Sequence, residues 1–297
     1  MRKPGRLLTA MVTPFNDKGE VDYEQAKKLA LALLDSGSEG LVVVGTTGES
    51  PTLIRDEEKC LFAEVKSAVA GRGVVIAGTG SNSTAEAIQA TRAAEQIGVD
   101  ACLLVVPYYN KPTQEGLYQH FRIIAESTSL PCILYNVPSR TVVSISAETI
   151  IRLSRIDNIV GLKEASGNMQ QVARVIEGVP EDFLVWSGND TDTLPILALG
   201  GYGVISVASH LAGNQIKQMI DSFLAGDTAA AAESHRRLLP LVNALFAVAN
   251  PIPTKYAMNH IGFPVGDPRL PLTPPDEKTA AFIRETLKGY KIDLPLQ

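Results

Sequence analysis

The chain has 297 residues, 45% of them hydrophobic and 20% charged, and a net charge of −5. That is enough apolar residue for a full core, which excludes a disordered chain, and a length within reach of one large α/β barrel. The acidic balance excludes the basic face a nucleic-acid footprint needs, and no stretch reaches the roughly 18–20 continuous apolar residues of a membrane span. Met1-Arg2-Lys3-Pro4-Gly5 is followed by no long apolar region, so no signal peptide is expected and a cytoplasmic setting fits. Cys60, Cys102 and Cys132 are an odd number with no Cys-x-x-Cys spacing. Two of them lie in apolar runs and read as small buried hydrophobes in a reducing compartment.

Along the chain, residues 7–12 form the first short apolar run, and residues 23–34 then carry apolar positions at three- and four-residue intervals. Further runs follow at 40–44 and 74–77. Residues 85–97 again show helical spacing, and Ser83-Thr84-Ala85-Glu86 predicts a capping box at the start of that helix. The remaining runs are 101–106, 132–135, 159–162, 184–186 and 204–207. Eight strand-like runs alternating with helical stretches predict a parallel sheet. Continuous rather than alternating apolar strands predict that both sheet faces are covered. Eight units favour a (β/α)8 barrel over an open doubly wound sheet. Beyond about residue 211 only helices are expected, over 215–225, 228–248, 252–261 and 275–287. The domain reading is a barrel over residues 1–226 and a C-terminal helical extension over 227–297 packed on it, since no Gly/Ser- or Pro-rich linker intervenes.

In such a barrel the chemistry sits at the carboxyl ends of the strands. The second run ends in Gly45-Thr46-Thr47-Gly48-Glu49-Ser50, either a tight turn whose hydroxyls cap the next helix or a nest of N–H groups and hydroxyls that holds a carboxylate. The third ends in Gly78-Thr79-Gly80-Ser81-Asn82-Ser83, which lacks the third glycine of the dinucleotide fingerprint and reads as a turn. The fourth ends in Tyr108-Tyr109-Asn110-Lys111, two aromatics for packing or for a site. The fifth ends in Tyr135-Asn136-Val137-Pro138-Ser139-Arg140-Thr141, where Arg140 is a surface arginine or a fork for a carboxylate. The seventh ends in Ser187-Gly188-Asn189-Asp190. The four histidines show no metal-ligand spacing, and no Gly-x-Ser-x-Gly elbow is present.

The sixth run ends in Lys163. An ammonium at the end of a buried strand is costly, so burial favours the neutral amine and lowers its pKa. A neutral amine condenses with a carbonyl to form a Schiff base. Taken alone, the run also fits a surface lysine or one paired with a carboxylate. Successive strand residues face opposite ways, so a Lys163 that points into the barrel has Glu164 pointing away from it.

Gly45-Thr46-Thr47-Gly48-Glu49, Tyr135-Asn136-Val137-Pro138-x-Arg140-Thr141 and Gly161-Leu162-Lys163-Glu164-Ala165-Ser166-Gly167 occur in the order and spacing of one family. The chain resembles the dihydrodipicolinate synthase family over essentially its full length, including Asn250-Pro251-Ile252-Pro253-Thr254-Lys255. The wider superfamily, with N-acetylneuraminate lyase, shares the barrel, the lysine and the first motif; the arginine after Tyr-Asn-Val-Pro is the more specific mark. The resemblance implies a lyase that condenses pyruvate with L-aspartate 4-semialdehyde, the first committed step toward diaminopimelate and lysine. It implies no metal or organic cofactor, and a homotetramer built from dimers.

The resemblance also implies residue roles. Lys163 forms the imine. Tyr135 shuttles the proton, and Thr46 and Tyr109 complete a hydroxyl relay, with Tyr109 reaching into a neighbouring subunit. Thr47 holds the pyruvate carboxylate and Arg140 the semialdehyde carboxylate, while Gly188 and Ile205 line the pocket. Asn82, Glu86 and Tyr108 match a feedback site for lysine. Two departures stand out. Arg55 and Glu58 lie where lysine-inhibited relatives often carry histidines, which predicts weaker or altered inhibition. Val142-Val143 stands where many members have a glycine. Two other readings remain at this point: another Schiff-base aldolase that cleaves a sugar acid to pyruvate, and a non-catalytic barrel that binds a keto acid or amino acid.

Overall fold

The computed structural model describes residues 4–295. Its elements run β1 (Leu7–Ala10), α1 (Tyr23–Asp35), β2 (Gly40–Val43), α2 (Arg55–Val69), β3 (Val74–Gly78), α3 (Thr84–Ile97), β4 (Ala101–Val105), α4 (Gln114–Glu126), β5 (Cys132–Asn136), α5 (Pro138–Thr141), α6 (Ala147–Leu153), β6 (Ile159–Glu164), α7 (Met169–Gly178), β7 (Leu184–Ser187), α8 (Thr193–Ala198), β8 (Gly203–Ser206), α9 (Ser209–Leu224), α10 (Thr228–Leu245), α11 (Ile252–His260) and α12 (Glu277–Leu287). The strands close into a barrel in sequence order, β1 to β8, the (β/α)8 architecture that the alternation predicts. The strand residues of β1, β2, β5 and β7 are buried throughout, as both faces of a covered parallel sheet require.

The chain packs as two compact units, one running to Val75 and resuming at Ser206, the other Ile76–Ile205. In the first, β1 pairs with β2, and α1 packs on α2, with Leu29, Leu33, Leu61, Phe62 and Val65 of the two helices buried. α9 packs on α10, and α12 on α10 and α11. Two helices of this unit are broken, and each break is closed by the C-terminal segment. α9 opens at Ser209, six residues before the periodicity suggests, and is kinked at Ala212 (φ −131°, ψ 39°). The backbone groups parted by the kink both go to Asp293: its N–H donates to Leu211 O at 2.8 Å, and its carboxylate accepts from Gln215 N at 3.1 Å. α10 carries Pro240 in its interior, and a proline there clashes with the preceding turn and opens the ladder. The Tyr290 hydroxyl fills the gap, accepting from Leu241 N at 3.2 Å and donating to Arg237 O at 2.6 Å.

In the second unit β3 to β8 run parallel in order. β5 and β6 shift register at Cys132/Ile133, so that Cys132 faces Ile159 while Ile133 faces Gly161. An extra residue of this kind bends a strand and re-aims the side chains beyond it. Here it sets Tyr135 opposite Lys163 and Asn136 opposite Glu164. Gly161 is required beside the shift, because a Cβ would lie 2.5 Å from Leu184 O and 2.7 Å from the Trp186 ring. β6 extends two residues past its apolar run, so Lys163 lies within the strand rather than after it. The Ser83 cap forms only in part: Ser83 Oγ accepts from Glu86 N at 3.4 Å, but the Ser83 N–H goes to Ser81 Oγ, which also donates to the Glu86 carboxylate. The nearer serine displaces the reciprocal bond of a capping box.

Candidate active site

Lys163 is 5% exposed, and its Nζ lies 4.4 Å from the centroid of the Tyr135 ring. The lysine pKa is lowered from 10.5 to about 8: burial is the main cause, the Asp190 charge opposes it and the Arg140 charge adds to it. The amine is therefore available as a nucleophile near neutral pH. Glu164 is not its partner. That carboxylate accepts from Asn136 Nδ2 at 3.0 and 3.1 Å, from Ser166 N at 2.7 Å and from Gln171 Nε2 at 3.2 Å. The strand alternation thus separates the two charges, and burial raises the Glu164 pKa.

Gly188 follows β7 and keeps the space beside the lysine open. A Cβ there would sit 3.2 Å from Lys163 Cε and 2.7 Å from Ala165 Cβ, while the Gly188 N–H is fixed on Glu164 O at 2.7 Å. Ile205, in β8, is fully buried. Arg140 sits on the single turn of α5 directly after β5, exposed but close enough for its charge to act on Lys163. Asp190 is buried. Its influence on Lys163 has no local sequence signature, because only the fold brings the end of β7 beside β6.

Tyr109 lies on the loop after β4. It is 88% exposed and its φ is +73°, with Lys111 at +48°. Left-handed backbone at non-glycine residues costs on the order of 1 kcal/mol each, so this aromatic is held out on a strained loop. The neighbouring turn is tied together by Asn82 Nδ2 donating to Tyr108 O at 3.1 Å and Asn110 Nδ2 donating to Asn82 O at 2.8 Å. Glu86 accepts from Ser81 Oγ at 2.9 Å.

In the other unit, Thr46 and Thr47 stand on the turn after β2. Val44 and Glu49 bracket them with φ of +59° and +58°. Glu49 N donates to Thr46 O at 3.1 Å, and Thr13 Oγ1 donates to Gly48 O at 2.6 Å. The reading of these hydroxyls as helix caps does not hold: the following 3-10 turn Ser50–Thr52 has no side-chain cap, and the N-cap of α2 is Ile54. Thr47, buried, accepts from Asn250 Nδ2 at 2.8 Å. Glu49 is bonded to Lys255 at 2.9 Å and to Arg269 N at 2.9 Å. Asn250 and Lys255 are marked in the sequence only as the ends of the Asn250–Lys255 motif, which gives no partner for either. Arg55 pairs with the buried Glu58 at 2.8 Å, and burial raises the Glu58 pKa.

A closed parallel barrel that buries a lysine of lowered pKa at the carboxyl end of β6 has the arrangement an imine-forming lyase requires. The sequence matches the Dihydrodipicolinate synthetase family over residues 3–289. A 4-hydroxy-tetrahydrodipicolinate synthase of Dehalococcoides mccartyi strain CBDB1 is 68% identical over 297 residues, covering all of both chains. The crystal structure of dihydrodipicolinate synthase DapA-2 from Bacillus anthracis has a TM-score of 0.96 at 46% identity, covering 98% of this chain and 100% of that one. That of DHDPS from Cyanidioschyzon merolae with lysine bound has a TM-score of 0.95 at 50% identity, covering 96% and 97%. The chain belongs to the dihydrodipicolinate synthetase family.

Proposed function

We propose that this chain catalyses the condensation of pyruvate with L-aspartate 4-semialdehyde to 4-hydroxy-tetrahydrodipicolinate, the entry to diaminopimelate and lysine synthesis. The observation that carries this reading is the buried Lys163 amine, lowered to about 8 and stacked on Tyr135, in a chain 68% identical to a synthase of that name. Lys163 adds to the pyruvate ketone and water leaves, giving an imine. The protonated imine draws electrons from the adjacent methyl, so Tyr135 can take a methyl proton. A phenol of ordinary pKa near ~10 is a weak base, and sharing the proton along Thr46 and Tyr109 makes the transfer feasible. The enamine carbon then bonds to the aldehyde carbon. The amine of the semialdehyde attacks the imine carbon, closes the ring and releases Lys163.

Thr47 is assigned to the pyruvate carboxylate, Arg140 to that of the semialdehyde, and Gly188 and Ile205 to the pocket wall. Steady-state turnover of pyruvate with L-aspartate 4-semialdehyde tests the reading. Turnover with a sugar acid in place of the semialdehyde would transfer the chain to a sister aldolase, and pyruvate binding with no adduct on borohydride reduction would leave only a binding protein. Because the free amine is the reactive form, kcat/KM for pyruvate is expected to rise with pH up to about 8 and then level off. A profile flat from pH 6 to 9 would contradict that assignment.

The exposed Tyr109 on its strained loop supports a second part of the proposal, a homotetramer built from dimers in which Tyr109 completes the neighbour's relay. Tyr109→Phe is expected to lower kcat by about 100-fold or more, the scale of a lost proton-transfer group; full activity in this variant would remove Tyr109 from the relay. Asn82, Glu86 and Tyr108 are proposed to bind lysine, with inhibition weakened because Arg55 and Glu58 neutralise each other where relatives often carry histidines. A lysine titration that shows strong inhibition would overturn the weakening.

A further inference from the structure

Thr47 and Asn250 are 203 residues apart, yet both are buried and the Asn250 amide donates to Thr47 Oγ1 at 2.8 Å. The carbonyl end of the same amide accepts from Thr254 Oγ1 at 3.3 Å. In this arrangement the donor end of the amide faces Thr47 and the acceptor end faces Thr254. A hydroxyl has one proton and two lone pairs. With a lone pair of Thr47 taken by an N–H donor, its own proton is left for another acceptor. We propose that Asn250 is a positioning residue for substrate: it polarises the Thr47 hydroxyl so that this group donates to the pyruvate carboxylate. The inference rests on the assignment of Thr47 to that carboxylate.

The surrounding geometry supports a loop built for this purpose. Val44 and Glu49, on either side of Thr46-Thr47, both adopt positive φ, a conformation that persists only when other contacts over-determine it. Those contacts come from the C-terminal helices and the loop after them. Lys255 of α11 and the Arg269 N–H hold the Glu49 carboxylate, and Asn250, two residues before α11, holds Thr47. A residue that only filled space would not need its donor end turned to a hydroxyl.

The polarity can be reversed with little change in shape. In Asn250→Asp the carboxylate accepts from Thr47, whose lone pairs then face the substrate anion, and a further negative charge is added. Pyruvate KM is expected to rise about 100-fold in Asn250→Asp and about tenfold in Asn250→Ala, the latter the scale of one hydrogen bond. kcat should stay within about twofold in both, because a contact made equally in the bound and transition states affects KM alone. In a Thr47→Val background, Asn250→Ala should add less than about twofold.

Melting curves establish that each variant is folded; should Asn250→Asp fail to fold, the Asn250→Ala coupling to Thr47→Val carries the test. An unchanged pyruvate KM in Asn250→Asp, or an Asn250→Ala effect undiminished in the Thr47→Val background, overturns the proposal. If Thr47→Val itself leaves pyruvate KM unchanged, the assignment of Thr47 fails, and the positioning role falls with it. That outcome is distinct from a normal Thr47 effect without coupling.

Discussion

Lys163→Ala is expected to reduce turnover by on the order of a thousandfold or more, since removing a covalent nucleophile takes away the whole reaction path. Lys163→Met should be as inactive, yet more stable than the parent protein below pH 8. The sign follows from the lowered pKa. Below about 8 the lysine is protonated whether the chain is folded or not, and the folded state carries a buried ammonium. The gap from 10.5 to about 8 is worth about 3 kcal/mol at 1.36 kcal/mol per pH unit. Between pH 8 and 10.5 the folded protein holds a neutral amine while the unfolded chain remains protonated, so stability climbs with pH. The advantage of Lys163→Met is therefore full below pH 8 and fades as pH rises to 10.5. Denaturant titrations of both proteins at pH 7 and pH 10 measure it; equal stabilities at pH 7 would mean that the lysine is not carried at a cost.

Lys255→Met should be destabilised by about 3–5 kcal/mol, because it leaves the Glu49 carboxylate buried without its counter-charge. Both side chains are 1% exposed, and Lys255 Nζ also donates to Asp267 O at 3.1 Å and lies 4.0 Å from the centroid of the Phe15 ring. Lys255→Met combined with Glu49→Leu should recover much of that loss, since apolar residues of similar volume often replace a buried ion pair without penalty. Activity should not recover with it, because Glu49 also holds the positive-φ end of the Thr46-Thr47 turn. Recovery of both together would show the pair to be structural only. Urea midpoints and pyruvate KM, taken on the same preparations, separate the two outcomes.

Much of this was legible in the chain because barrels repeat one rule. Continuous apolar runs mark the strands, and their ends mark the face on which Lys163, Thr46, Tyr135 and Arg140 fall, while the roles expected of those residues came from the family motifs. The strand edges were less legible: Lys163, Glu164 and Asn136 are polar, yet they continue the ladder. The register shift at Cys132/Ile133 has no signature in either strand, because it belongs to the pair. Ser81 took the bond that a capping box would give Ser83, a competition between near neighbours that a four-residue pattern does not record. Asp190, Asn250 and Lys255 fall in segments the sequence marks, but their partners Lys163, Thr47 and Glu49 are set by tertiary structure alone.

The mended helices α9 and α10 bear on how the protein is made. A chain leaves the ribosome N-terminus first, and domains fold as their parts emerge. Here the groups that bridge Leu211 to Gln215, and Arg237 to Leu241, belong to Asp293 and Tyr290. The partner of Glu49 arrives only with Lys255. A nascent chain thus carries an unpaired Glu49 carboxylate until Lys255 emerges, and two open helix ladders until Tyr290 and Asp293 follow. A chain that stopped before Tyr290 would hold every strand of the barrel and the Glu49–Lys255 pair, yet leave both ladders open.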